Sequence, residues 1–130
     1  MHRLNYLIVI ILQLFLIKTV IAQNTSAGMK ATQLEKFGLA KQISGLNGYD
    51  IRARKIVVPA GVSIAEHSHT TRPGIVYVES GEIIEYRGKE SRLLKAGDSL
   101  VEDFTTVHSY KNINSIDCVL IAFDIPKKNK

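Results

Sequence analysis

The chain carries four histidines, and three of them, His67, His69 and His108, stand in a pattern that can do chemistry. His67 and His69 are two residues apart. On an extended strand, residues i and i+2 share a face, so these two imidazoles project side by side while Glu66 points the other way. A third imidazole, His108, arriving from a distant strand, completes a facial set of neutral nitrogen ligands. Such a set leaves positions open for water or substrate, as a working metal site needs and a closed structural one does not. The expected cofactor is one divalent metal ion. Imidazole suits Zn, Cu, Fe and Ni about equally, so ligand type alone does not name the metal, and Fe, Mn, Zn and Ni are the candidates.

The segments that must position these residues read as strands. After Gly45 the sequence runs in short stretches rich in Ile, Val and Tyr: Tyr49–Val58, Ile64–His69, Ile75–Glu79, Ile83–Tyr86, Ser91–Leu94, Ser99–Glu102, His108–Asn112 and Ile116–Asp124. Turn residues separate them, among them Pro59-Ala60-Gly61, Ser80-Gly81, Arg87-Gly88, Ala96-Gly97-Asp98 and Asn112-Ile113-Asn114. Many short strands at near-regular spacing predict an all-β antiparallel sandwich or closed barrel and argue against β-α-β units. Ala31–Ile43 reads either as a short helix with Leu34 and Phe37 on one side or as an irregular strand at the barrel edge.

The spacing of glycines around the histidines is more specific. The first stretch reads Gly61-VSIAE-His67-Ser-His69-TTRP-Gly74-IVYVES-Gly81, and the second reads Gly97-DSLVE-Asp103-Phe-Thr105-TV-His108-SYK-Asn112. Together they resemble the two motifs of the cupin superfamily, in order and in register, over about residues 45–124. The resemblance implies a single-domain cupin: an antiparallel β-barrel, or jelly roll, over residues 30–125, with His67, His69 and His108 as metal ligands. It also implies that the protein pairs as a homodimer through edge strands, with residues 30–43 available for that purpose.

The chain departs from the motifs at three positions. Asp103 and Thr105 replace a Pro and a Gly of a turn, which a different loop accommodates. Gly74 stands where the family places a glutamate ligand, and the inward alternation from it continues through Val76 and Val78, with Tyr77 and Glu79 outward. The expectation is therefore three neutral imidazoles without charge compensation, a site that keeps the full charge of its ion and draws an anionic chelating ligand. Three-histidine cupins of this kind resemble thiol dioxygenases and diketone-cleaving oxygenases, which implies an Fe(II)-dependent dioxygenase. The alternative is a non-catalytic cupin that binds a metal, a sugar or another small ligand. Tyr110, two past His108, is placed to face the cavity and orient substrate. Arg72 is placed to pair with a substrate carboxylate. Glu102 and Asp103 are expected to be exposed.

The N-terminus reads as an address. Met1-His2-Arg3 is a basic start, Leu7–Ile17 is apolar but for Gln13, and Val20 and Ala22 supply the residues a signal peptidase reads. Residues 1–22 are thus a signal peptide, and the apolar run is too short to anchor stably in a membrane. The expected localisation is secreted or periplasmic. Residues 23–29 are small and polar, a flexible leader, and residues 126–130 form a basic tail. Without residues 1–22 the chain keeps 15 basic and 12 acidic residues, a mild net charge of +3. No aromatic residues alternate with Arg52, Arg54 and Lys55, so nucleic acid is an unsuitable partner and a small molecule the expected one. The single cysteine, Cys118, excludes an intramolecular disulfide and lies in an apolar stretch, where it reads as a small core residue.

Overall fold

A computed structural model describes Ser26 and residues 28–128; residues 1–22, where a signal peptide is expected, most of the expected leader and the last two residues lie outside the described set. Nine strands make up the ordered structure: β1 (Lys30–Gly38), β2 (Asp50–Val58), β3 (Ser63–Ser68), β4 (Gly74–Ser80), β5 (Glu82–Arg87), β6 (Glu90–Lys95), β7 (Ser99–Glu102), β8 (Val107–Lys111) and β9 (Cys118–Asp124). There is no helix among the described residues. The strands form two antiparallel sheets, a five-stranded one in the order β1-β2-β9-β4-β7 and a four-stranded one in the order β3-β8-β5-β6. This is a jelly roll.

Alternation decides which side chains meet between the sheets. On β2, β4, β9 and β7 of one sheet the inward residues are Ile56 and Val58, Val76 and Val78, Cys118, Leu120 and Ala122, and Leu100; Ile83 and Leu94 face them from β5 and β6 of the other. These residues are all buried and form one core. Tyr77 and Glu79 lie outward on β4, as the alternation requires. The tight passage from β4 to β5 needs Gly81, whose φ of 77° is left-handed and where a Cβ would press on the Asp117 carbonyl at 2.6 Å.

The ambiguous segment after residue 30 is strand β1, paired antiparallel with β2 through a bulge between Gln33 and Glu35. All nine of its residues are exposed, so neither Leu34 nor Phe37 has a face to bury, and backbone pairing decides the conformation. Leu39, just beyond it, is the residue that enters the protein. The start of the basic tail does not run free: Lys127 bridges to Tyr49, and the Lys128 ammonium pairs with buried Asp50 at 3.0 Å.

Candidate metal centre

His67 lies on β3 and His108 on β8, and the two are directly opposite each other in the antiparallel register. The strand bearing the third imidazole is remote in sequence but adjacent in space. His69 stands one residue past the end of β3, held by its amide donating to the Thr106 carbonyl at 2.9 Å. The three rings form a nearly equilateral triangle, with centroids 5.0, 4.7 and 4.9 Å apart. One nitrogen of each lies within 4.8 Å of the other two.

Hydrogen bonds fix which nitrogen that is. His67 Nδ1 donates to the Ala65 carbonyl at 2.8 Å, His69 Nδ1 to the Arg72 carbonyl at 3.1 Å, and His108 Nδ1 to the Glu85 carboxylate at 2.8 Å. Carbonyls and carboxylates only accept, so each Nδ1 carries the proton and each Nε2 presents a lone pair. His69 Nε2 and His108 Nε2 stand 3.1 Å apart. Two nitrogens at metal–ligand distance from one ion, with a right angle between them, are about 3 Å apart. Lone pairs facing each other at this separation repel unless a cation lies between them, so the donor set fits a divalent metal ion.

The protonation states agree. Burial pushes the pKa of His67, His69 and His108 below the ordinary imidazole value, that of His108 to about 4 despite the opposing pull of Glu85. All three rings are neutral near pH 7, the form that binds metal.

The cluster that could share one ion consists of the three imidazoles, as expected, but the expectation that Glu102 is exposed does not hold. Leu100 and Glu102 share the inward face of β7, and Glu102 is 5 % exposed. Its Oε1 lies 3.5 Å from His108 Nε2 and its Oε2 lies 3.4 Å from His69 Nδ1. Glu85, on the inward face of β5 with Ile83, is also buried and touches His108 from behind. Both glutamates were legible in principle, since each follows a core residue at i+2. Asp103 is exposed, and its carboxylate accepts from Thr105 and Thr106, which closes the turn that a Pro and a Gly would otherwise form.

Beside the imidazoles is a cavity of about 280 Å³. Tyr110 lines it, with its ring 4.7 Å from that of His108 and its hydroxyl donating to Glu102 Oε1 at 3.0 Å. Burial first, and then the Glu102 charge, push the phenol's pKa far up, so it remains a donor. Arg72 lines the cavity as well, half-buried. Arg54 was not singled out by the sequence. Its alternation with Ile56 aims it inward, where Asp124 holds its Nη2 at 2.8 Å and its Nε has no partner among the described residues. Apolar walls come from Met29, Ile56, Ile64 and Leu120. Ser26 and Met29 belong to the expected leader, yet they line this cavity, and Ser26 Oγ accepts from the Ala65 amide at 3.2 Å.

The fold and the histidine cluster define a class. The Cupin domain family matches residues 54–124, more than half of the chain, and the protein belongs to that family. Similar solved structures include KdgF from Halomonas sp., 20 % identical, with a TM-score of 0.63 over 78 % of this chain and 82 % of that one. The TT1209 protein from Thermus thermophilus is 16 % identical, with a TM-score of 0.61 over 81 % of this chain and 90 % of that one. A recombinant oxalate oxidase in complex with glycolate is 19 % identical, with a TM-score of 0.59 over 81 % of this chain and 54 % of that one. At these identities the likeness is one of fold. No curated protein matches the sequence.

Proposed function

We propose that this is an exported, metal-dependent cupin in which His67, His69 and His108 hold one divalent ion and the adjoining cavity takes a small anionic molecule. The observation that carries the reading is the convergence of three Nε2 lone pairs, each fixed by an acceptor on its Nδ1. Glu66 and Glu102 also line the cavity and Arg54 is paired with Asp124, so Arg72 is the lining cation left for an anionic group, and the apolar residues suit the remainder of a small organic acid. Export rests on the N-terminal pattern of residues 1–22.

The activity we assign is iron-dependent dioxygenation. Ferrous iron, when bound, would supply the capacity to activate O₂ that organic substrates lack. The chain's own residues do the rest. Arg72 binds and orients a carboxylate, Tyr110 lies against the substrate space with its proton committed to Glu102, and the apolar walls exclude water. Self-association is assigned to β1, whose outer edge pairs with no strand among the described residues.

The test is metal analysis of the purified protein, followed by oxygen uptake with thiols, diketones, catechols and small carboxylates. Bound iron and substrate-dependent uptake support the reading. Tight ligand binding without turnover replaces catalysis with capture. A protein whose melting temperature ignores added Fe, Mn, Zn and Ni overturns the metal site, because a ligand that binds only the folded state must stabilise it. Replacing His67 and His69 by Ala should abolish metal uptake and leave the fold intact.

A further inference from the structure

Gly74 and Glu102 are register partners on β4 and β7, and Gly74 is at the same time the partner of Asp124 on β9. Residues directly opposite in a sheet share a face, so Gly74 and Glu102 aim at the same volume. Gly74 itself admits no side chain. A Cβ there would collide with the Phe123 carbonyl and stand 3.0 Å from the Cα and Cβ of Asp124, because β9 crosses too close. Any carboxylate serving that volume must come from the neighbouring strand, and Glu102 supplies one.

What surrounds Glu102 points the same way. A buried carboxylate is costly unless a cation or several donors compensate it. Among the described residues, Glu102 receives one hydrogen bond, from Tyr110, and its other close neighbours are the neutral imidazoles of His69 and His108. Asp124, by contrast, is held by both Arg52 and Arg54. Glu102 is thus a buried carboxylate whose Oε1 lies 3.5 Å from the convergent nitrogen of His108 and whose Oε2 lies toward His69 Nδ1, with no cationic side chain bonded to it among the described residues.

Resting on the metal reading above, we infer that Glu102 is the carboxylate ligand of the metal centre, delivered from β7 across the pair with Gly74, so that the site is three imidazoles and one carboxylate. The charge of the ion is then partly neutralised within the protein. The site also gains a hard oxygen donor, and with it a preference that three imidazoles alone lack. Carboxylate oxygen favours Mn(II), whereas imidazole favours Zn(II) and Ni(II).

The experiment compares wild type, Glu102→Gln and Tyr110→Phe, titrating Mn(II) and Zn(II) separately by calorimetry, with Mn(II) electron paramagnetic resonance as the spectroscopic readout. Gln keeps the length and the acceptor for Tyr110, so the fold is retained, and a melting curve without metal checks this. Glu102→Gln should weaken Mn(II) binding at least a hundredfold and Zn(II) binding by clearly less, and should change the bound Mn(II) spectrum. Tyr110→Phe, which leaves the charge in place, should change both affinities by less than tenfold. Unchanged Mn(II) affinity in Glu102→Gln, or equal losses for both metals, overturns the role of Glu102 while leaving a three-histidine site standing. A wild-type protein that takes up neither metal overturns both readings together.

Discussion

Replacing Glu85 by Gln should weaken metal binding about tenfold without touching a metal-facing atom. In the wild type the buried Glu85 carboxylate accepts from His108 Nδ1 at 2.8 Å. A hydrogen bond to a charged partner contributes about 1.5–3 kcal/mol, and a neutral one about 1 kcal/mol. Gln offers a neutral acceptor in the same place, so about 0.5–2 kcal/mol of support for the ring is lost, equivalent to a factor of about 2–30 in Kd. Part of the carboxylate's charge is already spent on Arg87 and Arg92, which places the effect near the middle of that range. Effects of this size are usual for groups that orient metal-binding histidines. The assay is competition for Zn(II) against a chromophoric chelator, on metal-stripped wild type, Glu85→Gln and Glu85→Ala. Alanine, which leaves Nδ1 without its acceptor, should cost more than Gln. A Glu85→Gln protein within twofold of wild type would refute the reasoning, since His108 would then owe neither its tautomer nor its basicity to Glu85.

Two further predictions concern the fold around the site. Gly74→Ala should destabilise the protein by about 1–3 kcal/mol through overpacking against β9, lowering Tm by about 5–20 °C; a variant melting with the wild type would show that β4 and β9 can part cheaply. In chelator-treated protein, His108 is neutral down to about pH 4 in the folded state but protonates near 6.5 when unfolded. The unfolded state therefore binds the extra proton between these values, and stability should fall as pH drops through that window while staying flat with respect to this group above it. Urea titrations from pH 7.5 to 4 read this directly, and stability independent of pH across the window would contradict a buried neutral His108.

The sequence disclosed the part of the site that depends on local spacing. His67 and His69 are two apart, and the strand rule alone places them together; the glycine spacing brought in His108. What it concealed was set by register. Nothing local says that His67 faces His108, that Gly74 faces Glu102, or that β9 crowds Gly74, because strand pairing is a long-range outcome. Glu102 illustrates the cost: next to a turn it looks like a surface acid, and only the inward row it shares with Leu100 marks it as buried. Arg54 was similarly hidden in a basic cluster that looks solvated until its alternation with Ile56 is followed. The two-stranded edge at β1 escaped a firm reading because all of its side chains are exposed, so no hydrophobic period specifies it.

The two sheets of the jelly roll meet at this centre from opposite sides: His67 and His108 hang from β3 and β8, and Glu102 from β7. Filling it therefore rivets the mouth of the sandwich, and emptying it removes a fastener, so that amide exchange along β7 and β8 should slow with occupancy, while the exposed edge strand β1 stays indifferent. Occupancy would then be legible as stiffness at one rim of the molecule.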